Sequence, residues 1–152
     1  MRKFLVVMDD TPECLNALRF AALRAAKTKG AVEVLAIIEP EDFQHWIGVG
    51  DIMRAEAREA IEARFAEMAE RVTELTGVAP NLVVREGERA AEVLSQITED
   101  RDIGVLVLGA GTTGDGPGPL VSQLAGRMAG DMPVPVTVVP GSLTWDQLQS
   151  VC

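Results

Sequence analysis

Ile103-Gly-Val-Leu-Val-Leu108, then Gly109-Ala110, then Gly111-Thr-Thr-Gly-Asp-Gly-Pro-Gly-Pro119, then Leu120 to Met128, then Val134-Pro-Val-Thr-Val-Val139 read in order as strand, glycine-rich loop, helix and strand. The first run is apolar and β-preferring, and it breaks at Gly109. The nine loop residues 111–119 hold four glycines and two prolines. Leu120, Val121, Leu124, Ala125 and Met128 then recur on one helical face. A loop with so few side chains lets a ligand reach backbone N–H groups. A helix starting behind it adds the positive end of its dipole. The expectation is an anion site, with phosphate the first choice.

Upstream, the chain repeats the same alternation. Phe4-Leu-Val-Val-Met8 has the length of a strand buried on both faces. Thr11 is a good N-cap, Pro12 suits the first helical position, and Glu13 complements the dipole of a helix that Gly30 stops. In that helix Leu15, Leu18, Ala22 and Ala25 mark the apolar side, and Asn16, Arg19 and Lys27 the wet side. Val32 to Ile38 is a second strand, and Glu39 to Gly50 a loop holding Phe43, His45, Trp46 and Ile47. A long helix from Asp51 to about Thr76 carries the stripe Ile61, Phe65, Met68, Val72 and Leu75, with a Glu67–Arg71 pair and Gly77 as its C′ residue. Asn81 to Arg85 is a third strand. It turns through Glu86-Gly87-Glu88 into a helix bearing Ala90, Val93, Leu94 and Ile97. Five apolar strands alternating with four helices predict an α/β fold, a parallel sheet covered on both faces with right-handed crossovers. Residues 141–152 read as a C-terminal tail, polar apart from Leu143, Trp145 and Leu148, able to dock as one helical turn on the body or a partner.

Composition narrows the function classes. At 152 residues and 47% hydrophobic the chain is one domain with a core of its own. A formal charge of −9 opposes nucleic acid and anionic membrane surfaces as partners, although backbone dipoles can still bind a small phosphorylated molecule. Cys14 and Cys152 make no disulfide framework, and Cys14 reads as a buried thiol. No membrane-length apolar run or signal segment occurs, so a cytoplasmic location is expected.

Four places resemble the universal stress protein family over residues 2 to about 140. They are the first strand running into Asp9; Ile37-Ile38-Glu39-Pro40 at the end of the second; Arg85-Glu-Gly-Glu-Arg-Ala-Ala-Glu-Val-Leu94; and Asp102 to Gly109 followed by Pro135-Val-Thr-Val-Val139. The resemblance implies one domain over residues 1–140 and a doubly wound five-stranded sheet of order 3-2-1-4-5, the adenine nucleotide alpha hydrolase-like fold. It also implies ATP or AMP as ligand, with Mg possible beside ATP. Asp9 would hydrogen-bond the ribose or base edge, and Ile37 would contact adenine. The family's Gly-x2-Gly-x9-Gly-[Ser/Thr] motif falls on Gly109, Thr112, Ser122 and Gln123, and only the first matches. Started at Gly111, it keeps Gly114 and then meets Leu124-Ala125. The loop keeps its own means of holding phosphate: hydroxyls on Thr112, Thr113 and Ser122, and bare backbone at Gly111, Gly114, Gly116 and Gly118. Asp9 could instead cap the first helix beside Thr11.

Enzyme signatures are mostly absent. No Gly-x4-Gly-Lys-[Ser/Thr] and no Gly-x-Ser-x-Gly occurs, and the lone His45 is poor metal-site material. Gly109-Ala-Gly-Thr-Thr-Gly114 fits a dinucleotide fingerprint but follows the fourth strand, not the first. No catalytic residue or metal ligand is assigned, and any ATP hydrolysis would be slow. Two classes of function remain. One is a stress-linked regulatory protein binding an adenine nucleotide through Asp9, Ile37, Gly109, Gly111, Thr112, Gly114, Ser122 and Gln123. The other is a dimeric interaction module without nucleotide. In both, the apolar edge strand Val134 to Val139 is the expected homodimer surface.

Overall fold

The computed structural model describes residues 1–40 and 50–152, so the readings of Phe43, His45, Trp46 and Ile47 fall outside the described residues. Strands β1 (Lys3–Met8), β2 (Ala31–Ile38), β3 (Asn81–Glu86), β4 (Ile103–Ala110) and β5 (Val136–Pro140) form one sheet. Its order is β3-β2-β1-β4-β5 and every pairing is parallel. Helices α1 (Glu13–Thr28), α2 (Gly50–Thr76) and α3 (Arg89–Glu99), a π-helical segment (Val121–Arg127), a short 3-10 turn (Ala129–Asp131) and a terminal helix α4 (Trp145–Val151) make up the remaining described elements. None of the described helices is long and apolar enough to cross a membrane.

Strand periodicity divides the core in two. Val6 and Met8 of β1 point to the side of α1, α2 and α4, where Leu18, Val72 and Leu148 are buried. Leu5 and Val7 point to the other, against Val93 and Ile97 of α3 and Leu124 of the π-helix. A sheet covered on both faces needs apolar residues at successive positions, and β2 is buried from Val32 through Ile38. Each large apolar side chain buried here contributes about 1.5–3 kcal/mol.

One strand residue breaks that rule. Glu33 of β2 is only 3% exposed. It pairs with Lys3 Nζ at 3.1 Å and accepts from Gln96 Nε2 of α3 at 2.7 Å. Lys3 also reaches Asp100 at 2.6 Å, and Arg85 of β3 pairs with Glu92 and Glu99 of α3 while donating to Gln96. This chain of charges pins α3 across β1, β2 and β3. A buried carboxylate persists only where such partners replace its water.

Several local expectations need correction. Thr11 does not cap α1: its N–H (2.9 Å) and its hydroxyl both donate to Asp9 Oδ1. Pro12 stands at the helix start with no side-chain cap. Lys29, not Gly30, adopts the left-handed conformation that ends α1, at φ 57°. Gly30 is needed for room, since a Cβ there would lie 2.9 Å from the Arg2 carbonyl. Gly77 does take the C′ role, with φ 77° and its N–H on Thr73 O. Leu75 leaves the α2 stripe at 48% exposure, and Glu67 and Arg71 form none of the described ion pairs.

Asn16 was read as solvated, yet it is 6% exposed. Its Nδ2 donates to the carbonyls of Pro140, Gly141 and Leu143 at 3.2, 3.2 and 2.8 Å. That clamp turns the tail back over α1. Thr144 then starts α4 with a capping box shared with Gln147, Leu148 is fully buried, and Arg24 donates to the Cys152 carbonyl. The tail therefore docks on the body, on the α1 face of the sheet.

The fourth helix winds as a π-helix, with Met128 N donating to Gln123 O. Apolar residues recurring every fourth position, Leu120–Leu124–Met128 and Val121–Ala125, stay on one face of either helix type. The sequence pattern does not separate the two. Strand β4 runs past the expected break, since Gly109 and Ala110 pair with Val139 and Pro140. Strand β5 begins at Val136, two residues later than expected. Pro135 accepts from Leu106 N but has no N–H to return.

Candidate functional site

The carboxyl ends of β1 and β2 open into a cleft of about 310 Å³. Its wall comes from Met8, Asp9 and Asp10 after β1, and from Ala36 to Glu39 at the end of β2. Ala57, Ala60, Ile61 and Arg64 of α2 and Arg89 of α3 close it. Open α/β sheets present ligands at this end of their strands. Ile37 and Ile61 give the cleft an apolar surface, and Asp9 and Arg64 give it polar points for orientation.

Asp9 is positioned by its own turn. With Oδ1 committed to Thr11, Oδ2 takes no hydrogen bond from any described residue. Thr11 in turn offers its carbonyl to Arg64 Nη2 at 2.8 Å. Behind them Cys14 is buried at 2% exposure with its sulfur 3.8 Å from that of Met68. Burial is the main cause that pushes its thiol above the ordinary value, so this cysteine is an inert packing residue.

The site residues read from the sequence separate into two groups. Asp9 and Ile37 share the cleft. Gly109, Gly111, Thr112, Gly114, Ser122 and Gln123 lie beyond its wall. Gly109 is inside β4, where an added Cβ would come 2.4 Å from the Glu13 carbonyl oxygen. Packing of α1 on β4 thus requires a glycine there with no ligand involved. Gly111 N donates to Pro117 O at 2.9 Å, and Gly116 N to Thr113 O at 3.4 Å, so the loop closes on itself. Thr112 and Gly114 are exposed, Ser122 is exposed on the π-helix, and Gln123 supplies a carbonyl to Met128 N. The Glu13 side chain lies against this loop, with Oε2 3.2 Å from where a Gly111 Cβ would stand.

Sequence reasoning missed Arg64 and Arg89. Arg64 stands three residues after Ile61 on the α2 stripe, and Arg89 follows the acidic turn after β3. Those spacings carried the signal, but neither says which loop end the side chain reaches.

The sequence model of the universal stress protein family matches residues 1–140, and the chain belongs to that family. Among curated proteins, none matches the sequence. Solved structures share the fold. Universal stress protein UspA from Lactobacillus plantarum superposes with a TM-score of 0.72 at 18% identity, covering 91% of this chain and 97% of that one. A universal stress protein in complex with cAMP gives 0.66 at 18%, covering 93% and 98%. A family protein from Arabidopsis thaliana with AMP bound gives 0.52 at 13%, covering 92% and 91%. The sheet order 3-2-1-4-5 is that of the expected fold class.

Proposed function

We propose that this protein is a regulatory, non-enzymatic binder of an adenine nucleotide, with the base against Ile37 and the ribose or base edge on Asp9. The observation that carries the reading is the cleft at the ends of β1 and β2, where an apolar wall meets a carboxylate whose Oδ2 takes no hydrogen bond from a described residue. AMP and cAMP held by structural neighbours support the ligand class. ATP with Mg is the larger member of that class, and holding it would need contacts beyond the cleft wall, from the strand-four loop residues Gly109, Gly111, Thr112, Gly114, Ser122 and Gln123. The protein works as a cytoplasmic homodimer paired through the free edge of β5, where Val138 is 37% exposed.

Thermal unfolding with added nucleotide tests the binding. A ligand at 100 times its Kd stabilises by about 2.7 kcal/mol, and at this chain length that raises Tm by roughly 5–10 °C. No shift with millimolar AMP, cAMP or ATP favours the second reading, a dimeric interaction module without nucleotide. The closed Gly111–Pro117 turn and the Glu13 carboxylate beside it support that alternative. Sedimentation at micromolar concentration tests the pairing, with twice the 16.3 kDa chain mass expected.

A further inference from the structure

We infer that the anionic end of the nucleotide is received by Arg64 and Arg89 of the cleft wall, and that Glu13 keeps it off the strand-four loop. This rests on the adenine-nucleotide reading above and assigns the phosphate end of that same site. The favoured ligand is then an adenosine monophosphate, held by side-chain guanidinium groups and not by loop amides.

Arg64 is a cation with donors to spare. Its Nη2 holds the Thr11 carbonyl and lies 4.0 Å from Cys14 Sγ, while Nη1 makes none of the described hydrogen bonds. The described ion pairs that α2 and the start of α3 form are Arg54 with Asp51 and Glu86, and Arg89 with Glu39. Arg64 enters none of those described. Arg89 is committed only loosely, its Nη2 standing 3.4 Å from Glu39 Oε1. Charge-assisted contacts of this kind normally close to about 2.7–2.9 Å, so a phosphate can displace that carboxylate at small cost. Both arginines border the volume that Ile37 and Asp9 also border.

The same wall limits the charge a ligand can carry. Asp9, Asp10 and Glu39 line the cleft with the two arginines, so a single phosphate finds partners and a longer polyphosphate meets like charge. On the far side, Glu13 is the first residue of α1, with its carboxylate against Gly111. The protein's own acid thus occupies the positive end of that helix and the flank of the loop, where a polyphosphate tail would need to lie.

Calorimetric titration of the full chain with adenosine, AMP and ATP at low salt tests the assignment. AMP should bind about tenfold more tightly than adenosine, a 1.4 kcal/mol difference, and ATP no more tightly than AMP. In Arg64→Gln and Arg89→Gln the AMP-to-adenosine affinity ratio should fall towards one. In Glu13→Gln the ATP affinity should rise about fivefold relative to AMP. If Arg64→Gln does not fold, Arg89→Gln and Glu13→Gln decide independently. The inference is overturned if adenosine binds but AMP gains nothing over it, or if both arginine variants keep the wild-type ratio. It is overturned equally if ATP binds far better than AMP to the wild type. Failure of all three ligands to bind removes the adenine-nucleotide reading itself, a different result from any of these.

Discussion

The loop after β4 and the cleft after β1 and β2 sit at the same end of one sheet, yet they are built from opposite materials. The loop is glycine and proline, and two of its amides are spent on its own carbonyls. The cleft is walled by isoleucines, carboxylates and guanidinium groups drawn from four elements. Glycine density therefore has two physical sources that a sequence shows identically: room for a ligand, and room for the protein's own backbone. At Gly109 the second operates, because the Glu13 carbonyl occupies the place a side chain would need. The polar groups of the cleft are side chains brought together by packing.

That contrast can be broken most sharply at Gly109. Gly109→Ala forces a Cβ to 2.4 Å from backbone that a helix holds in place, and a loss of about 3 kcal/mol is expected in urea unfolding. A neutral result would mean that α1 does not pack on β4 as described.

The next effect lies behind the loop. Asn16→Leu removes the donor shared by the Pro140, Gly141 and Leu143 carbonyls, and should cost about 2 kcal/mol. Hydrogen exchange should rise first in α4, since the clamp is what turns the tail over α1.

Within the loop, a pair of substitutions sharpens the distinction between conformation and contact. Gly116→Ala should cost about 1–2 kcal/mol because φ is 93°, although nothing stands near its Cβ. Gly114→Ala, with open space and no positive φ, should stay within about 0.5 kcal/mol.

A further small effect is expected away from both regions. The Lys3 ammonium, with a smaller contribution from the Asp102 N–H, holds the Asp100 carboxyl below its ordinary value. Its folded pKa lies beneath the unfolded one, so its stabilisation is complete above about pH 4 and disappears as pH falls through the folded value. Lys3 is shifted the other way, raised mainly by Asp100 and then Glu33. Its contribution is complete below about pH 10 and is lost as pH rises through the higher folded value. The partly exposed pair is worth a few tenths of a kcal/mol to about 1. Wild type and Asp100→Asn should differ by that amount at pH 7 and converge in acid.

The strands were legible because parallel strands covered on both faces must be apolar at successive positions, as Val32 to Ile38 are around Glu33. Gly77 was legible as a stop because an isolated φ of 77° is a local demand. Asn16 was not: its donors meet carbonyls more than 120 residues away, and nothing in its own helix marks it as different from Arg19. The pairing of Glu33 with Gln96, 63 residues on, was hidden for the same reason. Of the candidate site, Asp9 and Ile37 could be placed from the family resemblance. Arg64 and Arg89 could not, because they join the cleft only through the way α2 and α3 lie on the sheet.

The amino-acid order alone determined the succession of strands and helices, the two-sided sheet and the family, all consequences of short-range periodicity and turn chemistry. Tertiary structure alone decided which glycines make room for backbone, where the tail docks and which charged residues line the cleft. Those outcomes depend on distances between residues far apart in the chain, and periodicity carries no information about them.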